Sequence, residues 1–446
     1  MSLMEGLPAE LRCLLLRSVP DLATLQSFVL SSPVMHAQYR EDRNSILRSC
    51  LSREMHGYGT DAYANAMSRA CEPGSPRSNR EIASFLDIYK SASPPGIDSI
   101  SPDGLCWLAA FHTTVALPLA RRYARWSLAN LWKASYSPKD VGVCVNEEMH
   151  GLSKGEEVRI MKAIYRHEAY NHLFGQHEDQ RDGSFTNYDI HGVFFCKFEP
   201  WESEAIGCID VFLRQQYSDM FDRINNRTDA TTPDQASVQK RENGATSKPI
   251  INPGFNGLNP AGFAKMAESL ATLHHIDRII ARGLKSSAWL LQIDNHAKLS
   301  SAMQDHLEQL GRDVGSKDDP MRLALGTNAQ QFRRMVRSAD PRDEAEARRD
   351  PIAFLGDYDE NTVSPGEGAE VEERPPIAWV RLWKGRYSHL YGDYVPLPVR
   401  KWGYVMWDER RWADLGALDL VAKQWKKTPE LAERINRNYH WSPIEG

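Results

Sequence analysis

The sequence predicts a mainly α-helical protein: a helical hairpin at the N-terminus, an irregular multi-helix domain, and minor β structure in an aromatic-rich C-terminal part. Three observations predict it. Apolar residues recur at helical spacing from Leu7 to Met55. Ser-x-x-Glu capping boxes stand at Ser78 and Ser153, each ahead of a further helical stripe. The best strand candidate is the short run WGYVMW at 402–407.

Leu7, Leu11, Leu14 and Leu15 fall at i, i+4, i+7 and i+8, one face of a first helix. Pro20 ends it, Asp21 is suited to cap a second, and Leu22, Leu25 and Val29 continue the stripe. Pro33 fits the first position of a third helix carrying Met35, Tyr39, Ile46 and Leu47. These helices make a module over 1–55. Residues 56–104 hold a helix from Ser78 to Tyr89 between Pro- and Ser-rich linkers, EPGSPRSNR (72–80) and SASPPGIDSISPDG (91–104).

A helical domain is expected over 105–312. Its first run, Leu105 to Trp132, contains Pro118, where a kink is expected. A helix after Ser153 carries Val158, Met161, Tyr165, Ala169 and Leu173. Another opens at Pro200-Trp201 with Glu202 and Glu204 in its first turn, where carboxylates suit the helix dipole. Polar residues 225–260 read as a flexible insertion, with helix resuming over about 260–310. Within 313–376, residues 340–374 hold twelve acidic and four basic side chains and read as largely disordered. The remainder, 377–446, contains seven of the twelve tryptophans and is expected to pack on the helical domain.

A net charge of -5 supplies no general attraction to nucleic acid or anionic membrane. No run approaches the roughly 18 apolar residues of a membrane span, and Glu5, Glu10, Arg12 and Arg17 do not fit a secretory signal. Seven scattered cysteines without a C-x-x-C fit neither a disulfide framework nor a zinc ribbon and point to a reducing cytoplasm or nucleus.

The chemistry-bearing motifs are weak. His167-Glu168 with His172 has the look of a zinc-protease helix, but a spacing of five turns the histidines about 140° apart around the axis. No phosphate loop or nucleophile elbow occurs, so neither a catalytic residue, a metal nor a cofactor is expected. Arg121, Arg122 and Arg125 beside Tyr123 and Trp126 read as the solvated side of an apolar stripe rather than a nucleic-acid surface. The C-terminal Trp379, Trp383, Trp402, Trp407 and Trp412 read as packing before they read as a binding surface.

Leu7-Pro8-Ala9-Glu10-Leu11, then Leu14-Leu15-Leu16, Asp21-Leu22 and Leu25, resemble an F-box. Glu156-x-x-Arg159, Ala163-x-Tyr165-Arg166-x-Glu168, Pro200-Trp201-Glu202-x-Glu204 and Trp402-Gly403-Tyr404-Val405-x-Trp407-Asp408 add a likeness to filamentous-fungal F-box-like proteins. Where many F-boxes carry a cysteine or serine, a basic residue and an aromatic, this chain has Ser31-Ser32-Pro33-Val34. The resemblance implies that Leu7, Pro8, Leu11, Leu14, Leu15, Leu22, Leu25 and Val29 bind the adaptor subunit of a cullin-RING (SCF) ubiquitin ligase. It also implies that the region beyond about residue 100 recruits a protein substrate, without catalysis, nucleic acid or membrane. From the residues alone the leucine face has a second use, as core of a helical scaffold or ligand-binding protein. A third reading is an enzyme pocket built from His167, Glu168 and the C-terminal aromatics.

Overall fold

Several helices begin where a side chain or a proline relieves the unbonded amides of the first turn. Asp21 accepts the Thr24 amide at 2.7 Å to open one, and Ser32, followed by Pro33, opens the next. Ser78 and Ser153 both form complete capping boxes, with Glu81 and Glu156. The computed structural model describes residues 5–69, 78–91, 93–135, 151–175, 185–228, 276–277, 279–312, 321, 341–356 and 374–444.

These residues are mainly helical. In chain order the elements are α1 (Ala9–Ser18), α2 (Leu22–Ser31), α3 (Pro33–Glu54), α4 (Gly59–Ser68), α5 (Asn79–Tyr89), α6 (Pro102–Phe111) and α7 (Leu117–Ser135). Next come α8 (Lys154–Phe174), α9 (Asn187–Val193), α10 (Pro200–Thr228), α11 (Leu284–Leu290), α12 (His296–Arg312) and α13 (Pro341–Arg348). The C-terminal helices are α14 (Ile377–Leu382), α15 (Leu397–Lys401), α16 (Glu409–Asp414), α17 (Leu418–Lys427) and α18 (Pro429–Tyr439). No described helix is long and apolar enough to cross a membrane.

The chain forms two units, residues 1–212 with 320–446, and residues 213–319. The division falls inside the stretch 105–312 that the sequence reading treats as one domain. In the first unit α1 and α2 pack on α3, α3 and α4 on α6, and α4 on α8. In the second, α11 packs on α12, Arg214 pairs with Asp277, and Tyr217 donates to Ser287 at 3.0 Å.

Three expectations are corrected. WGYVMW is not a strand: residues 402–406 are turns and all six residues are buried. Short-range bonds hold them, Gly403 N–H to the Arg400 carbonyl at 3.0 Å and Met406 N–H to the Gly403 carbonyl at 2.8 Å. The only β pairing among the described residues is the isolated bridge of Pro351 with Arg386. Acidic residues 341–356 are ordered, as α13 and that bridge, because Glu346 finds buried donors; residues 357–373 lie outside the described residues. The insertion expected from 225 begins later, since α10 runs to Thr228, and residues 229–260 also lie outside.

Between α6 and α7 the helix continues through a π-helical turn, His112–Ala116, just before Pro118. Proline offers no amide to the preceding turn, and a widened turn accommodates it. The Thr113 and Thr114 hydroxyls bond the carbonyls of Ala109 and Ala110 at 2.9 and 2.7 Å.

Gly403 shows how closely the C-terminal part packs. Its φ of +61° is left-handed, and a Cβ there meets the Tyr123 and Ser127 hydroxyl oxygens of α7 at 2.5 Å. Gly403→Ala combines backbone strain with a clash in a packed interior, so a loss of about 2–4 kcal/mol is expected in urea denaturation.

Candidate docking face and buried ion pairs

The N-terminal helices are fastened to α3 by bonds to backbone. Arg53 donates to the carbonyls of Arg17 and Val19, closing the α1–α2 corner, the first at 2.8 Å. Arg12 reaches the Leu7 carbonyl at 2.7 Å and Gln38 Oε1 at 3.3 Å. Glu54 accepts the Leu22 amide at 2.9 Å on one oxygen and faces His112 Nε2 at 3.3 Å on the other; His112 Nδ1 meets the Tyr165 hydroxyl at 2.8 Å. The second helix is thereby tied through α3 to the interior. Burial pushes the Cys50 thiol up to about 12, so this α3 cysteine is a neutral core residue.

The apolar face expected to dock a partner divides in two. Leu22, Leu25 and Val29 turn inwards with Leu16 and Val19 and are buried. Leu11, Leu14 and Leu30 are 47%, 60% and 73% exposed. Leu7 and Leu15 are half-buried, and Pro8 is exposed ahead of α1. A two-helix stripe has too few neighbours to bury every apolar position, and Leu11 and Leu14 of α1 and Leu30 of α2 are the ones left outside. The Ser31-Ser32-Pro33 departure has a local role as the cap of α3. Ser32 Oγ accepts the Val34 amide at 3.2 Å and donates to Glu5 Oε1 at 2.7 Å.

His167 and Glu168 are both buried. His167 is fully buried, with Nε2 3.8 Å from Asp210 and Nδ1 3.3 Å from the Asn171 amide nitrogen. His172 meets the Ser68 hydroxyl at 2.9 Å through Nδ1 and Glu168 at 3.6 Å through Nε2. The two histidines reach different helices, as a spacing of five requires. Among the described residues no three His, Cys, Asp or Glu side chains are grouped to hold a metal ion.

The C-terminal tryptophans 379, 383, 402, 407 and 412 are all buried. Trp379 packs against Trp383, Tyr404 and Trp201 with ring centroids 5.8, 6.2 and 6.2 Å apart. They are packing. On α7, Tyr123 is buried while Arg121, Arg122 and Arg125 are exposed.

Buried charge organises the same interior. Glu156 accepts from Arg411, the Nε bond being 2.6 Å, and Arg159 pairs with Asp408 while donating to the Met406 carbonyl at 3.0 Å. Arg166 lies between Asp61 (2.8 Å) and Glu202 (2.5 Å), and Asp61 also accepts from Tyr89. Glu204, on α10, binds Arg400 at 2.9 Å and the Gly392 amide at 2.7 Å. Burial raises the Glu204 carboxyl, opposed by the Arg400 charge and these bonds.

Sequence reasoning missed these pairs, because Glu202 and Glu204 fit the dipole at a helix start. Glu202 does accept the Glu199 amide at 2.8 Å, but it also serves Arg166. The available signal was apolar residues on every side of 200–212, which left no solvent face for the carboxylates. No family model, curated protein or solved structure matches the chain.

Proposed function

We propose that the chain is a non-catalytic, F-box-like recruiting subunit whose α1 face docks the adaptor subunit of a cullin-RING (SCF) ubiquitin ligase, while the rest of the chain holds a protein substrate. The observation that carries this reading is the exposed row Leu11 and Leu14, with Leu30, on helices fixed by Arg12, Arg53 and Glu54. Exposed leucines on a rigid helix suit groove docking, since little side-chain and backbone freedom remains to be lost on binding. A helical scaffold is the second reading, favoured by the burial of Leu22, Leu25 and Val29.

A pull-down with the purified adaptor subunit tests it. Wild type is expected to bind, and Leu11→Asp with Leu14→Asp is expected to lose affinity by about 100-fold or more, each charge disrupting a desolvated contact. Both positions face solvent, so circular dichroism and the melting temperature should stay close to wild type. Failure of the wild type to bind, or equal binding by the folded double variant, rejects the ligase reading and leaves the scaffold.

A further inference from the structure

His112 opens the π-helical turn and is fully buried. The Tyr58 and Tyr165 rings lie nearly parallel to its imidazole, with centroids 6.2 and 6.3 Å away and interplanar angles of 22° and 2°. Packing against these rings fixes the imidazole plane, so each ring nitrogen faces one partner. Nε2 is 3.3 Å from Glu54 Oε1, and Nδ1 is 2.8 Å from the Tyr165 hydroxyl oxygen.

One tautomer satisfies every group in this row. The Tyr165 hydroxyl makes no other hydrogen bond among the described residues, and burial raises it well above its ordinary range, so it keeps its proton. That proton needs an acceptor, and Nδ1 is the one in reach. Nδ1 therefore carries no hydrogen, and Nε2–H donates to Glu54. A hydrogen on Nδ1 would leave the tyrosine proton unbonded in a dry interior, which is costly.

Glu54 and its neighbour Arg53, at the end of α3, hold the α1–α2 corner from both sides. Arg53 donates to the Arg17 and Val19 carbonyls, while Glu54 Oε2 accepts the Leu22 amide at 2.9 Å. Leu22 is the first residue of α2, so its amide has no acceptor within the helix, and the Asp21 cap is engaged by Thr24. The Glu54 side chain is 14% exposed, and without a donor on Oε1 it is free to turn towards water. The corner in turn sets how α2, carrying Leu30, lies against α1, carrying Leu11 and Leu14.

We infer that His112 is a positioning residue for docking: as the Nε2–H tautomer it holds the Glu54 side chain on the Leu22 amide, and so sets the corner that presents Leu11, Leu14 and Leu30 together. The adaptor part of this rests on the proposed docking function; the fastening of the corner does not.

Hydrogen exchange at the Leu22 amide of the full chain tests the fastening. His112→Leu is expected to raise its opening constant about tenfold, and Glu54→Ala at least as much. Because His112 acts through Glu54, the double variant is expected to match Glu54→Ala. Independent effects, which multiply to about 100-fold or more, overturn the inference. So does an unchanged Leu22 amide in His112→Leu, or one exchanging at the rate of buried Val421 of α17, which signals global unfolding. If His112→Leu does not fold, nitrogen-15 spectroscopy of the wild-type imidazole decides: a proton on Nε2 alone supports the inference, and one on Nδ1 overturns it. In the adaptor pull-down His112→Leu is expected to bind about fivefold more weakly than wild type. Equal binding overturns the positioning role, whereas a wild type that does not bind rejects the docking reading and leaves the exchange result to decide the corner.

Discussion

Replacing Arg166 with methionine is expected to destabilise the protein by about 3–5 kcal/mol, the range for removing one partner from a buried charge network. The side chains of Arg166, Asp61 and Glu202 are 4%, 5% and 9% exposed, so water does not take over the lost contacts. Methionine keeps much of the stem's volume, and the Phe198 ring, 4.4 Å from the guanidinium, retains an apolar neighbour. The loss is therefore electrostatic: two carboxylates remain close together with no cation between them. Neutralising them as well, in Asp61→Asn, Glu202→Gln, Arg166→Met, is expected to recover part of the stability. Urea denaturation of the single and triple variants measures both; a triple variant no more stable than the single one removes charge as the explanation.

The helices themselves were open to sequence reasoning because their causes are local. Asp21, Ser78 and Ser153 cap by contacts within three residues, and a 3.6-residue stripe needs no knowledge of its partner. What decided the site was not local. Leu14 and Leu25 belong to one stripe in the sequence, yet one is 60% exposed and the other 3%, because α3 covers only part of the hairpin. Trp402 to Trp407 has strand-like composition, but Gly403 bends the chain into α7, a contact no neighbouring residue specifies. The ion pairs were hardest, since Glu156 and Arg411 are 255 positions apart and each carries an ordinary surface charge when read alone. Glu346 was lost in the same way, inside a run whose average composition is that of a solvated chain.

Removing Arg400 should separate charge from packing through pH. Its carboxylate partner Glu204 is fully buried and accepts from Arg400 Nε and the Gly392 amide, with the Cys208 sulfur 3.8 Å away. Arg400→Met leaves the amide and thiol as donors, and the only relief open to the carboxylate is to take up a proton. The folded-state value, already raised by burial, must then rise further above that of the unfolded chain. A carboxyl raised in the folded state stabilises at low pH and loses that contribution as pH climbs through its folded value. The variant is therefore expected to lie about 3–5 kcal/mol below wild type at pH 8. The gap should close by up to about 1.4 kcal/mol per pH unit on acidification, between the variant's folded value and the lower folded value of the wild type. Adding Glu204→Gln should flatten the dependence, because no titrating group remains at the site. Thermal melts of wild type, single and double variants across pH 5 to 8 measure the slope. A deficit independent of pH would instead assign Arg400 a packing role, with its stem and not its charge holding α15 against α10.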